Sequence, residues 1–363
     1  MARTLSAALL AAQQAASRTP AIRILINGVN YSSRLLLLEH REEPYRDEAT
    51  IVLNNSDRGL YSVSLPTSNL MGYRFRIAYG YYTGEIVAEP NGDGAGNEYV
   101  ETADLWVKTQ QIVSEEGHNV CILGCQGQWY YLREQRVMAT LDAEAVKALD
   151  PAKVTNDPYF KKVFDGTMTV YQLIESVLEN AIGWTLNAVP ATNDGIIAAY
   201  KPVFTLEELP YAGVSLRKLI MMTKCYLRPK ANLIWEVVYP QTTDLVNETY
   251  YSGQSPFFTK YGESMALVIP NRPVVFAGNP KGETPWPTPV IIGDTGAYTG
   301  NYVQVMEPEV APAITTQTDA DNRASVLLTR HESENRLSGS LIAYHDSRVE
   351  LYDKVNVIDS RGT

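Results

Sequence analysis

The feature that most constrains this fold is a change of hydrophobic period along the chain. Up to about residue 135, apolar residues recur at every second position. Ile22, Ile24 and Ile26 bracket Arg23 and Leu25, and Tyr73, Phe75 and Ile77 alternate with Arg74 and Arg76. Period two places one face of a strand in a core and the other in water. Asn27-Gly28 follows the first run, and that pair suits the positive φ angles of a tight hairpin turn. Further strands are expected at 49–53, 106–113 and 119–123, with an apolar run at 35–38. Together they predict a β barrel or sandwich of about six strands.

Beyond this region the period lengthens. Thr169 with Gln172 three residues on forms a capping box, and Val170, Leu173, Ile174, Val177, Leu178 and Ile182 follow at helical spacing up to Gly183. A second helix is expected from Ser215 through Leu216, Leu219 and Ile220, ending before Pro229. Strands are expected at 233–238, 265–269 and 274–277 within a segment rich in Pro, Gly, Thr and Tyr. Thr318 or Asp319 is expected to cap a last helix running to about Arg336, and strands at 341–344 and 349–358 to close the chain as a hairpin. The expected class is therefore α+β, mainly β. Two tube-like antiparallel β-barrel or sandwich domains carry a helix-containing insertion. The expected division is a helical arm at 1–18, a first β domain at 19–135, an insertion at 136–230 and a second β domain at 231–363, the last with a smaller β subdomain at about 241–317.

At 363 residues the chain is long enough for two or three cores, and 45% apolar residues with 20% charged is a globular balance. The net charge of −10 disfavours tight binding to a phosphate backbone. An excess of Tyr, 23 against 7 Phe, suits strands and half-wet interfaces. Three cysteines make no disulfide framework and suit a reducing compartment. No run reaches the length of a membrane helix. Arg3 with the apolar run at 7–12 faintly resembles a signal peptide, but the run is short and Gln13-Gln14 interrupts it. A short helix capped near Thr4 or Ser6 accounts for it.

The motifs that carry chemistry are each incomplete. Gly92, Gly94 and Gly96 have the wrong spacing for a nucleotide fingerprint, and no helix pattern follows them. The segment at 278–284 has no Gly-Lys-Ser/Thr step. Asn91, Asp93 and Gly96 fit the first, third and sixth positions of a calcium loop, but Ala95 and Thr102 stand where ligands belong. His118, Cys121, Cys125 and Cys225 could ligate zinc, yet the two nearer Cys fall on one strand, too far apart to chelate easily. His345-Asp346 are neighbours that point to opposite faces of a strand, and no Gly-x-Ser-x-Gly elbow exists. The adjacent pairs Glu42-Glu43, Glu115-Glu116 and Glu207-Glu208 diverge and make poor glycosidase dyads, while Asp353 and Asp359 read as structural. The aromatic groups Tyr79-Tyr81-Tyr82, Trp129-Tyr130-Tyr131 and Tyr250-Tyr251 read as packing or subunit contact; a sugar-binding module would instead expose Trp129 or Tyr81 in a groove. No catalytic, cofactor-binding or metal residue is assigned.

Several segments carry a family resemblance in a shared order. Thr19-Pro20-Ala21-Ile22, the Asn27-Gly28 turn and Pro44-Tyr45-Arg46-Asp47-Glu48-Ala49-Thr50-Ile51-Val52-Leu53-Asn54-Asn55 resemble the first domain of phage tail hub proteins, the late control protein D family and relatives of contractile-tail baseplate hubs. The stretch at 72–80 is similar to that domain's central strands, and Ile269-Pro270-Asn271-Arg272-Pro273-Val274-Val275 to a later strand. The segment at 336–359, with Val349-Glu350-Leu351-Tyr352-Asp353-Lys354-Val355, and the final Asp359-Ser360-Arg361-Gly362 resemble the closing hairpin. The resemblance implies a non-enzymatic virion protein, assembled in the bacterial cytoplasm. It would form a homotrimeric, pseudo-sixfold ring between the tail tube or distal tail protein and a central spike or fibre. Tape measure protein would adjoin it, and DNA would pass through its channel without sequence-specific binding. The alternatives are a tail-tip cell-wall hydrolase or a glycan-binding receptor module.

Overall fold

The structure is a computed structural model, and it describes residues 3–60, 68–115, 117–135, 162–166, 168–206, 211–264, 270–278, 290–296, 304–311, 313–335 and 338–360. The period-two region forms one sheet from β1 (Pro20–Ile26), β2 (Val29–Asn30), β3 (Leu35–Glu43), β4 (Arg46–Asn54), β5 (Arg74–Tyr82), β6 (Asn97–Glu101), β7 (Leu105–Glu115) and β8 (His118–Gly127). The strands run in the order β2-β1-β5-β7-β8-β4-β3 with β6 added on β5, and every pair is antiparallel. Asn27 and Gly28 make the first turn with φ of 50° and 79°, as that dipeptide requires. Alternation then sets the core. Ile24, Ile26, Ile51, Leu53, Phe75, Ile77, Leu105, Leu123 and the thiols of Cys121 and Cys125 all face inward. Beyond β2 the chain stays against β1, where Tyr31 N donates to Ile24 O and Ser32 Oγ accepts from Ile24 N.

β8 runs directly into a helix, Gln128–Glu134, so the aromatic triplet at 129–131 is helical and not part of a strand. This helix turns Trp129 and Leu132 into a second core with Val170, Leu173, Val177, Leu178, Leu216, Leu219 and Trp235. Residues on both sides of 136–230 thus share one core. The capping box forms as read: Thr169 Oγ1 accepts from Gln172 N, and Gln172 Oε1 accepts from Thr169 N. The helix Val170–Glu175 widens into a π turn over Ser176–Ile182 and ends at Gly183, whose φ is 81°. The second helix spans Ala212–Ile220, three residues ahead of its expected start. Four tryptophans converge here. Trp184 stacks on Trp235 at 6.2 Å and on Trp106 at 5.9 Å, and Trp129 meets Trp235 edge-on at 4.9 Å.

In the last third, Arg272–Gly278 lies between Val290–Asp294 and Met306–Ala311, and the helix Gln317–Asn335 covers one face through Ala320 and Ala324. A Cβ at Gly293 would stand 2.2 Å from Ala320 O, so glycine is what lets helix and strand touch. This helix starts earlier than expected, because Thr316 rather than Thr318 or Asp319 caps it: Thr316 Oγ1 accepts from Asp319 N. The expected closing hairpin does not form. Ser338–Ala343 pairs with Phe258–Ser264, and Val355–Ile358 pairs in parallel with Glu248–Tyr251. The connection between those strands is drawn away over the first sheet, where Gln13 binds Asp346 and Ser347. The strand expected at 265–269 and the pair Glu207-Glu208 lie outside the described residues. The class is α+β and mainly β, as read. Among the described residues no helix is long and apolar enough to cross a membrane.

Candidate functional site

Side chains from four distant parts of the chain meet at one end of the first sheet. Alternation on β3, β4 and β5 puts His40, Asp47 and Tyr79 on the inner face, one step beyond the apolar layers of Leu38, Ala49 and Ile77. The core therefore ends in a polar layer. His40 Nε2 lies 2.9 Å from Asp47 Oδ1, and His40 Nδ1 lies 3.1 Å from the Tyr79 hydroxyl. His345 closes the layer from above, its ring 4.1 Å from that of Tyr79. Tyr81 OH donates to His345 O at 2.6 Å.

The N-terminal arm lies over the same end. Ser6 Oγ caps the helix Ala7–Gln14 by accepting from Leu9 N, as the sequence suggests. Arg3 N donates to Arg348 O, and Gln13 Nε2 donates to Asp346 Oδ1 at 2.6 Å. Beneath the arm runs a chain of ion pairs. Arg3 reaches Glu350 at 2.9 Å, and Glu350 also meets Lys230 and, at 3.7 Å, Arg228. Arg228 meets Asp353 at 2.9 Å and Glu236 at 2.5 Å, and donates to Leu351 O. Arm, first sheet, middle core and C-terminal segment are thus pinned at one junction.

Burial alone would neutralise these groups, and their neighbours decide which stay charged. For Glu350, burial pushes the pKa up, but Arg3, Arg228 and Lys230 outweigh it and hold the carboxyl below its ordinary value. For Arg228, burial works against the charge, and Glu350, Glu236 and Asp353 overcome it. Asp47 is raised to about 6 by burial. His40 moves up despite burial because Asp47 bonds to it, while burial, then Arg3 and His40, push His345 down to about 4.

The weaker motifs do not assemble. His118 is exposed, Cys121 and Cys125 lie in the first core and Cys225 in the second. Burial pushes all three thiols up, which makes them poor nucleophiles. Among the described residues, no group of three or more His, Cys, Asp or Glu is arranged to hold a metal. Asp93 spends its oxygens on Ala95 N, Asn97 N and Asn97 Nδ2, so the loop at 91–97 closes as a turn. His345 and Asp346 diverge, one onto Tyr79 and the other toward Gln13 and Tyr250. Glu42 faces His40 and Arg3, and its neighbour Glu43 pairs with Arg41. Trp129 and Tyr81 are each 2% exposed, which corrects the groove that a sugar-binding reading requires. Sequence reasoning missed the junction itself. Its only local trace was the charged run Glu350, Asp353 and Lys354 in a turn.

The fold is that of phage tail proteins, and the resemblance read from sequence is borne out at that level. The chain is similar to the tail protein from Neisseria meningitidis MC58, with a TM-score of 0.61 at 11% identity over 94% of this chain and 87% of that one. The 43 kDa tail protein of prophage MuSo2 from Shewanella oneidensis gives 0.58 at 10%, over 94% and 90%. The prophage tail protein gp18 from Listeria monocytogenes EGD-e gives 0.51 at 9%, over 94% and 86%. No family model and no curated protein matches in sequence.

Proposed function

We propose that this chain is a structural hub subunit of a phage tail tip or baseplate. It would form a trimeric, pseudo-sixfold ring that joins the tail tube to a central spike or fibre and surrounds the path of the DNA. The observation that carries the proposal is the likeness in fold to three tail proteins over 94% of this chain and most of each of theirs. The junction supports it on physical grounds. A ring subunit that transmits load must hold its β units at a fixed angle, and buried ion pairs with defined partners are directional in a way that apolar contact is not. The same reading makes the protein non-enzymatic, with tail tube, spike and tape measure proteins as its neighbours and the virion as its location.

Electron microscopy of the purified protein tests this. Class averages are expected to show threefold or pseudo-sixfold rings with a central hole. Particles that stay monomeric when mixed with the tail tube protein of the same phage would overturn the ring, and clearing of a bacterial cell-wall suspension would overturn the non-enzymatic reading.

A further inference from the structure

The junction contains one group that its protein contacts leave incomplete. The Asp47 side chain is 4% exposed, and its Oδ1 is bonded to His40. Its Oδ2 is buried without a protein donor. Asp47 also lines a cavity of about 20 Å³ bounded by Arg3, Glu42, Trp129, Arg228 and Glu350. Arg3 Nε, on the wall of the same cavity, is buried and has no aligned acceptor, although Glu350 lies 2.9 Å away.

We propose that one ordered water occupies this cavity, donating to Asp47 Oδ2 and accepting from Arg3 Nε. Three features select it. The volume suits one water, which needs roughly 10–15 Å³ or more of such space. The cavity offers one acceptor without a donor, Asp47 Oδ2, and one N–H, Arg3 Nε, that is ion-paired with Glu350 but not aligned on it, which is the complement of a single water. Finally, Arg3, Arg46 and Arg228 oppose a cation here, and Glu42, Glu43, Asp47 and Glu350 oppose an anion, so a neutral dipole is the species the wall accepts. The water ties the N-terminal arm to the end of the first sheet, a link that Arg3 and Asp47 do not make directly. The inference is independent of the hub reading.

A crystal structure of the full chain at a resolution that shows waters tests it directly. The expected result is a single peak about 2.7–3.2 Å from Asp47 Oδ2 and from Arg3 Nε. Water-to-protein magnetisation transfer in solution should place a long-lived water beside Asp47 and Arg3, which line the cavity. A dry cavity, an ion in place of the water, or Arg3 or Arg46 turned directly onto Oδ2 would each overturn the proposal. Both measurements use the unaltered protein, so no variant needs to fold.

Discussion

Arg228 and Asp353 lie 125 residues apart in sequence and 2.9 Å apart in space, and each side chain is only 2% exposed. Removing one partner of such a pair leaves the other charged, buried and unpaired, which is more damaging than losing a surface ion pair. Arg228→Met would strand Asp353 and weaken the hold on Glu350 and Glu236. The expected loss is about 3–5 kcal/mol, read as a lower urea midpoint. Arg228→Lys should recover part of it, since it keeps the charge and loses the forked geometry. A midpoint unchanged in Arg228→Met would mean the junction is not what binds the units.

Close backbone approach makes a second, independent prediction. An ideal Cβ on Gly80 would lie 1.7 Å from Glu98 O, where β5 and β6 meet. The obstacle is backbone, which cannot rotate away, so Gly80→Ala must push β6 off the sheet. The expected cost is roughly 1–3 kcal/mol or more. Gly253 is the control, because nothing lies within 4 Å of its would-be Cβ. Gly253→Ala should stay within about 0.5 kcal/mol. Equal denaturation midpoints for the two variants would contradict the close approach.

Local signals were legible in the sequence, and long-range ones were not. Asn27-Gly28, the Thr169 and Gln172 box, and Gly183 each act within a few residues, so their chemistry is written in neighbouring letters. The cap of the last helix was misplaced by two or three residues because Thr316, Thr318 and Asp319 all qualify by type, and only geometry selects Thr316. The closing strands were expected to pair with each other because they are adjacent in sequence. Their true partners lie near residues 250 and 260, and strand pairing at that distance leaves no mark on a local pattern. The junction was hidden for the same reason: Arg3 and Glu350 are ordinary charged residues until the fold brings them together.

The pH dependence follows from His345, whose pKa falls to about 4 from an ordinary 6.5, first through burial and then through Arg3 and His40. Between those values the unfolded chain binds a proton at this residue and the folded chain does not. The contribution of His345 to stability is therefore present above about pH 6.5 and is lost as the pH falls toward 4. Asp47, raised by burial, acts in the opposite direction, so the total curve does not isolate His345. His345→Phe does isolate it: the stability difference between wild type and variant should shift against the wild type as pH drops through this window. A difference that stays flat from pH 7 to 4 would show that the ring is not buried against Tyr79.

The last helix is tied to the middle core by two arginines: Arg323 donates to Met221 O at 2.5 Å, and Arg330 makes the larger set of bonds. Arg330, 5% exposed, donates to Ile220 O at 2.7 Å, to Thr223 O at 2.8 Å and to Cys225 O at 2.9 Å. Its guanidinium also lies 4.9 Å from the centre of the Tyr226 ring. The end of the helix Ala212–Ile220 carries carbonyls with no partner inside the helix and a partial negative charge, so a cation placed there is doubly favoured. Arg330→Met keeps much of the side-chain volume and removes the donors. Ile220 O keeps Thr223 N and Thr223 Oγ1 as donors, so the loss falls on the carbonyls of Thr223 and Cys225, and a buried carbonyl left without a donor costs roughly 1–3 kcal/mol. The loosening should be local, raising amide hydrogen exchange across residues 220–226 and the facing turn of the last helix. The amides of β8, in the separate first core, should be unaffected. Faster exchange in β8 as well would mean that the two cores unfold together, and that Arg330 supports the whole chain rather than one seam.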